Sequence, residues 1–254
     1  MAMNIPPDVY FQSFWPEMTI DSAITLGRLL PWQPLCDTHL LTVGPKDEDH
    51  DRYHLRTCGS SFDGGDELRF DTENLLLVGM VLTIPDKASS DPSVASRWLS
   101  APLIEGLPRL GKFIGFNLDP MDVRHVVPGE PDRLICVNEG IAETASRFRL
   151  SVANDVEMFF ADGGYCGWGL TNPARHLSCN AQHPNSISLD MEKAVACLLF
   201  EYFAVVEYDN IERLNDRDHA LHKSLMDLLG RTRTCQGAGA LSARIEDILD
   251  RFYD

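Results

Sequence analysis

RFRLSVANDVEMFFADGGYCGWGLT, residues 147–171, is the stretch that decides the fold. Three short runs, Arg147–Val152, Val156–Ala161 and Tyr165–Thr171, are separated by Ala153-Asn154-Asp155 and Asp162-Gly163-Gly164. Asn, Asp and Gly tolerate the positive φ that tight hairpin turns demand. The spacing therefore predicts a three-stranded β-meander in the centre of the chain.

Upstream, Val123–Val127 and Arg133–Asn138 extend the strand pattern at short intervals. Leu75–Ile84 is uniformly apolar and rich in branched residues, as a central strand buried on both faces must be. Thr38–Val43 and Arg52–Cys58 flank the polar segment 45–51 and resemble a hairpin with a long tip. Residues 85–92 form a loop, a short helix is expected from Ser93 to Ser100, and Ala101–Gly115 is too rich in Pro and Gly for a long element. Near the N-terminus a helix is expected over Asp21–Leu30, stopped by Pro31.

Downstream the period changes. Asp190–Glu207, with Asp190 as N-cap, carries Met191, Ala194, Val195, Leu198, Leu199, Tyr202, Phe203 and Val206 at helical spacing. A second helix is expected over Asn210–Leu229, with Gly230 as its stop, and a third over Leu241–Phe252. Strands first and helices last give an α+β protein: a mainly antiparallel sheet with a central meander, followed by three C-terminal helices. The chain reads as a single domain over 1–254, divisible at most into a β-rich part (1–185) and a helical part (186–254). No repeat period and no low-complexity tract stands out.

The charge is unbalanced. Asp and Glu number 38 against 22 Lys and Arg, a formal net charge of −16. Such a charge repels polyanions, which argues against direct binding to nucleic acid or to an anionic membrane, and it favours encounter with a basic protein. The chain opens without a basic n-region or apolar h-region, and neither Leu75–Ile84 nor Ala194–Val206 is long enough to span a bilayer. Seven scattered cysteines form no disulfide framework, so a reducing, cytoplasmic setting is the expectation.

Motifs for chemistry are sparse. Cys166, His176, Cys179 and His183 could hold zinc, although their types alternate where zinc motifs pair them; the competing reading is a structural thiol beside surface imidazoles. Cys36, His39, His54 and Cys58 could converge if the predicted hairpin forms. His219 and His222 share a helical face with Asp216 and Asp218 nearby, but no third ligand is marked. No nucleophile elbow, P-loop or dinucleotide loop occurs, so no catalytic residue, metal or cofactor is assigned.

The acidic loops remain. Asp47, Glu48, Asp49 and Asp51 sit at one expected hairpin tip, and Asp63, Asp66, Glu67 and Asp71 follow shortly after. Over residues 37–91 there are 12 acidic and 5 basic residues. If the flanking strands are neighbours, these carboxylates form one negative patch suited to Lys/Arg clusters of a partner. The expected function is an acidic binding module that occludes a basic protein, most concretely an immunity-type protein that neutralises a toxin. The alternatives are an enzyme with a site near Cys166–His183, zinc-dependent or not, and an adaptor or chaperone that uses Tyr10, Phe11, Phe14 and Trp15.

Overall fold

The computed structural model describes residues 18–22, 33–34, 39–43, 56–60, 65–129, 132–177 and 189–253. The protein is α+β. Its first strands are β1 (Met18–Asp21), β2 (Gln33–Pro34), β3 (His39–Val43), β4 (Thr57–Gly59), β5 (Glu67–Asp71) and β6 (Leu77–Ile84). Five of them form a sheet in the order β2-β3-β6-β5-β4. The apolar run expected to be a central strand is β6, in the middle of that sheet, with Leu77, Met80, Leu82 and Ile84 buried.

The expected pairing of residues 38–43 with 52–58 does not occur. β3 pairs with β6 and β4 pairs with β5, so two strands separate β3 from β4. The reason is that β6 is apolar on both faces and would expose a sticky edge unless flanked on both sides. β3 covers that edge. The result is a Greek key, in which β4, β5 and β6 follow one another and β3 returns beside β6.

Helix α1 (Pro92–Ser100) follows, with Asp91 accepting a hydrogen bond from the Ser93 N–H at 2.9 Å and Pro92 in the first turn. The second half contains β7 (Leu103–Glu105), β8 (Leu107–Leu110), β9 (Val123–Val127), β10 (Arg133–Val137), β11 (Arg147–Ala153), β12 (Val156–Ala161) and β13 (Gly164–Thr171). Six form a second sheet, β7-β11-β12-β13-β10-β9, and the expected meander is its β11-β12-β13. The turn residues behave as their types require: Asp155, Asp162 and Gly163 all have positive φ.

The two sheets have the same plan, and this corrects the expectation that the chain has no repeat. In each, a short hairpin (β2-β3 or β9-β10) is followed by a meander (β4-β5-β6 or β11-β12-β13) whose last strand pairs with the hairpin's second strand. Even the irregularities coincide. The β5–β6 ladder slips between Arg69/Gly79 and Phe70/Leu77, and the β12–β13 ladder slips between Phe159/Gly167 and Phe160/Tyr165. Aligning these bulges equates Phe70 with Phe160, Gly79 with Gly167, Leu82 with Leu170, Thr83 with Thr171 and Pro85 with Pro173, identical residues at a near-constant separation. β1 precedes the first unit and β8 the second, and these two strands pair with each other, Met18 with Leu110 and Asp21 with Leu107. Apart from the added β7, the two sheets thus repeat one plan and are joined through equivalent strands. At Gly167, φ is +152° and a Cβ would lie 2.2 Å from the Cys136 carbonyl oxygen, so only glycine fits this bulge.

The C-terminal group consists of α2 (Leu189–Val205), α3 (Ile211–Asn215), α4 (His219–Thr234) and α5 (Gly239–Tyr253). Three boundaries differ from expectation. Asp190 lies inside the first turn of α2 and is not its cap. The second expected helix breaks at Asp216–Asp218, where Arg217 takes φ +56° and Asp218 caps α4 through the Leu221 N–H at 2.8 Å. Gly230 does not stop α4, because buried Leu228, Leu229 and Thr232 hold the helix together on both sides of it. Asp21, expected to open a helix, ends β1; the remainder of that prediction, 23–30, lies outside the described residues.

One core joins the inward faces of both sheets (Leu68, Phe70, Met80, Leu82 with Cys136, Phe160, Trp168) to Leu199, Phe203, Leu225 and Ile245 of the helices. A smaller cluster lies on the outer face of the second sheet, where Ala95 and Trp98 of α1 cover Val123, Ile135, Val137 and Phe159. Trp98 stacks on Phe159 with ring centroids 5.1 Å apart. Among the described residues, no helix is long and apolar enough to cross a membrane.

Candidate interaction surface

Of the acidic residues expected to form a docking patch, Asp47, Glu48, Asp49, Asp51 and Asp63 lie outside the described residues. The other three are engaged in the fold. Glu67 pairs with Arg69 at 3.1 Å, and both side chains are largely buried. Asp71 pairs with Arg56 at 3.3 Å and accepts hydrogen bonds from the Glu73 and Asn74 N–H groups, which shapes the β5–β6 turn. Asp66 is not at the surface at all. It is fully buried, and its carboxylate accepts the Thr83 N–H at 2.7 Å and the Tyr165 hydroxyl at 2.7 Å. It thereby links β6 of the first sheet to β13 of the second. Burial pushes its pKa up to about 7, against the lowering effect of those two hydrogen bonds.

The cysteine and histidine sets fare as follows. Cys179, His183, Cys36 and His54 lie outside the described residues. Cys58 is in β4 and His39 in β3, which are not neighbours, so the hairpin that was to bring that set together is absent. Cys166 occupies the bulge of β13, where burial pushes its thiol up to about 11 and leaves it a poor nucleophile at neutral pH. His176 is buried and bonded through Nε2 to Asp155 at 2.9 Å. His222 packs against Tyr253, ring centroids 4.5 Å apart, and the Tyr253 hydroxyl donates to the Asp218 carbonyl at 3.0 Å. His222, but not His219, thus packs against the end of α5. Among the described residues, no group of three His, Cys, Asp or Glu is placed to hold a metal.

The fold assembles a different acidic surface from distant parts of the chain. The Tyr208 N–H donates to the Asp86 carbonyl at 3.2 Å, which fixes the loop after β6 against the link between α2 and α3. Asp86, Asp209, Glu212 and Asp216 are exposed, and Glu207 is partly so. Among the described residues Glu207, Asp209, Glu212 and Asp216 form no ion pair. Asp122 and Glu139 extend the field: Glu139 bonds Lys87 at 2.8 Å, and Glu139, Asp122 and Asp209 together raise the Lys87 pKa. Tyr208, 64% exposed, lies in the same segment, between Glu207 and Asp209.

A buried arginine lies beneath this surface. Arg124 of β9 is 1% exposed, and its guanidinium donates to the carbonyls of Pro85 and Phe203, the latter at 2.5 Å. It also lies 4.9 Å from the centre of the Phe203 ring. Burial lowers its pKa, and the nearby carboxylates of Asp86 and Glu207 act in the opposite sense. One buried cation thus anchors both segments that carry the acidic residues. Sequence reasoning missed this surface because its members are far apart in the chain and no local motif marks them; it is visible only once Asp86 and Tyr208 are adjacent. No protein-family model matches the chain, and no curated protein is similar to it.

Proposed function

We propose that the protein is a binding module that recognises a basic protein and works by covering its positive surface, most concretely an immunity-type protein that neutralises a toxin in the cytoplasm. The observation that supports this reading most is the set of carboxylates Asp86, Glu207, Asp209, Glu212 and Asp216 on two segments that meet where the Tyr208 N–H bonds the Asp86 carbonyl, with Tyr208 itself exposed. A tyrosine offers a large, stiff contact area at low entropic cost and is the kind of residue on which binding energy concentrates. The carboxylates of the two segments accelerate encounter with a cationic partner and reject anionic ones. The net charge of −16 works in the same direction at long range. The raised thiol pKa of Cys166 and of fully buried Cys136 fits a scaffold more than a cysteine-based catalyst.

The test is co-expression with the basic product of the gene encoded beside this one. Under the proposal the two copurify, the complex weakens steeply with salt, and any growth inhibition by the partner is relieved. The double charge reversal Glu212→Lys/Asp216→Lys, at exposed positions outside the core, slows association at least tenfold and abolishes relief, with the thermal unfolding of the free protein little changed. Equal protection by the charge-reversed protein would overturn the role of this surface.

A further inference from the structure

A cavity of about 440 Å³ lies between α1 and the edge strand β9, away from the Tyr208 surface. Its walls are Pro92, Ala95 and Leu99 on the helix side and Val126, Val127 and Pro128 on the strand side, with Ser90 and His125 contributing polar groups. No Asp, Glu, Lys or Arg lines it, in a chain with 60 such side chains. Its size is within the range of ligand sites and holds a single ring with substituents.

His125 makes the cavity more than a packing defect. The residue is 5% exposed, and its Nε2 is buried without a hydrogen-bond partner. Burial lowers its pKa, with Asp91 and Glu139 opposing, so the ring is neutral at physiological pH. A neutral imidazole offers one donor and one acceptor, and a buried polar atom left without a partner costs free energy. His125 lines the cavity and the χ2 torsion of histidine is soft, so rotation of the ring is the route by which a nitrogen meets an occupant. A second cavity of about 230 Å³ on the other side of Ser89 and Ser90 is walled by Arg97, Arg147 and Trp98. Its cations are already spent: Arg97 pairs with Glu143 at 3.1 Å, and Arg147 bonds the Ala142 carbonyl at 2.7 Å. That cavity carries nothing further.

We propose that the cavity between α1 and β9 is a binding site for an uncharged, ring-sized molecule that bears a hydroxyl group, held by apolar contact with Leu99 and Val126 and by a hydrogen bond to His125. A hydroxyl suits the site because it both donates and accepts, and so matches either tautomer of the ring. A carboxylate or an ammonium would lose its hydration with no counter-charge in the wall.

The experiment is a titration of the full chain, labelled with 15N at histidine, with phenol, toluene and benzoate in parallel. Phenol is expected to shift the His125 ring nitrogens saturably, toluene to bind about tenfold more weakly because it leaves the imidazole unpaired, and benzoate to have no effect. Leu99→Trp fills the cavity from the helix side while leaving residue 125 a histidine, and is expected to abolish the phenol shift in a protein that still unfolds cooperatively. Toluene binding as tightly as phenol, a phenol shift unchanged in Leu99→Trp, or no shift at His125 would each overturn the proposal.

Discussion

Arg124→Ala is expected to destabilise the protein by about 3–5 kcal/mol, a large share of the stability of an ordinary domain. Three losses combine. The carbonyls of Pro85 and Phe203 lose a charged donor in a site closed to water. The contact with the Phe203 ring disappears. The space of the fully buried Arg124 side chain is left as a cavity. Relief of the desolvated charge offsets part of this, which is why the figure is not larger. Arg124→Lys keeps the charge but not the planar fork, and only one of the two carbonyls can then be reached well, so it should recover less than half of the loss. Urea unfolding of the three proteins decides the matter: an unfolding free energy for Arg124→Ala within about 1 kcal/mol of the parent would mean that Arg124 does not clamp β6, β9 and α2 together.

The second large effect is the pH dependence centred on Asp66. Unfolded, an aspartate releases its proton near pH 3.9. Folded, Asp66 holds its proton until about pH 7 because burial penalises the anion. The folded state therefore binds the extra proton between these values. The stabilisation is complete below about pH 4 and is lost as pH rises to about 7, at up to about 1.4 kcal/mol per pH unit. Asp66→Asn keeps the shape, still accepts the Thr83 N–H and faces the Tyr165 hydroxyl with an amide, yet carries no titratable group. The difference in unfolding free energy between Asp66→Asn and the parent should accordingly grow in favour of the variant across pH 4–7, to roughly 3–4 kcal/mol. Other carboxylates titrate in this window but cancel in the difference. Parallel stability curves for the two proteins would show that Asp66 is ionised throughout and that its burial carries no proton linkage.

Asp66 also illustrates where the sequence stops being informative. As one acid among several in a polar segment it looked like part of a surface patch, and the residue that explains its burial, Tyr165, is 99 positions away. Local chemistry was legible: Asp162-Gly163 had to be a turn, a helix was expected from Ser93 and begins one residue earlier at Pro92, and the apolar β6 had to be central. Strand partnership was not, since β3 and β4 are adjacent in sequence and separated in the sheet by β6 and β5. The repeated plan was hidden for a related reason. Its identities, such as Gly79 with Gly167 and Pro85 with Pro173, line up only when the bulges in the two ladders are superposed, and intervening loops of unequal length blur any period. The acidic surface needs both kinds of information, because Asp86 closes the first repeat while Tyr208 follows the second. Composition announced that the protein is acidic; only the pairing of Asp86 with Tyr208 says where some of that charge gathers.

The most direct test of the proposed docking surface is amide hydrogen exchange of the protein alone and in complex with the basic partner. Slowed exchange at Asp86–Lys87 and across Glu207–Asp216, lost in the Tyr208→Ala protein together with at least about 2 kcal/mol of binding energy, is the predicted result. Protection confined to the acidic segment 44–55, with Glu207–Asp216 unchanged and Tyr208→Ala binding as tightly as the parent, would contradict it.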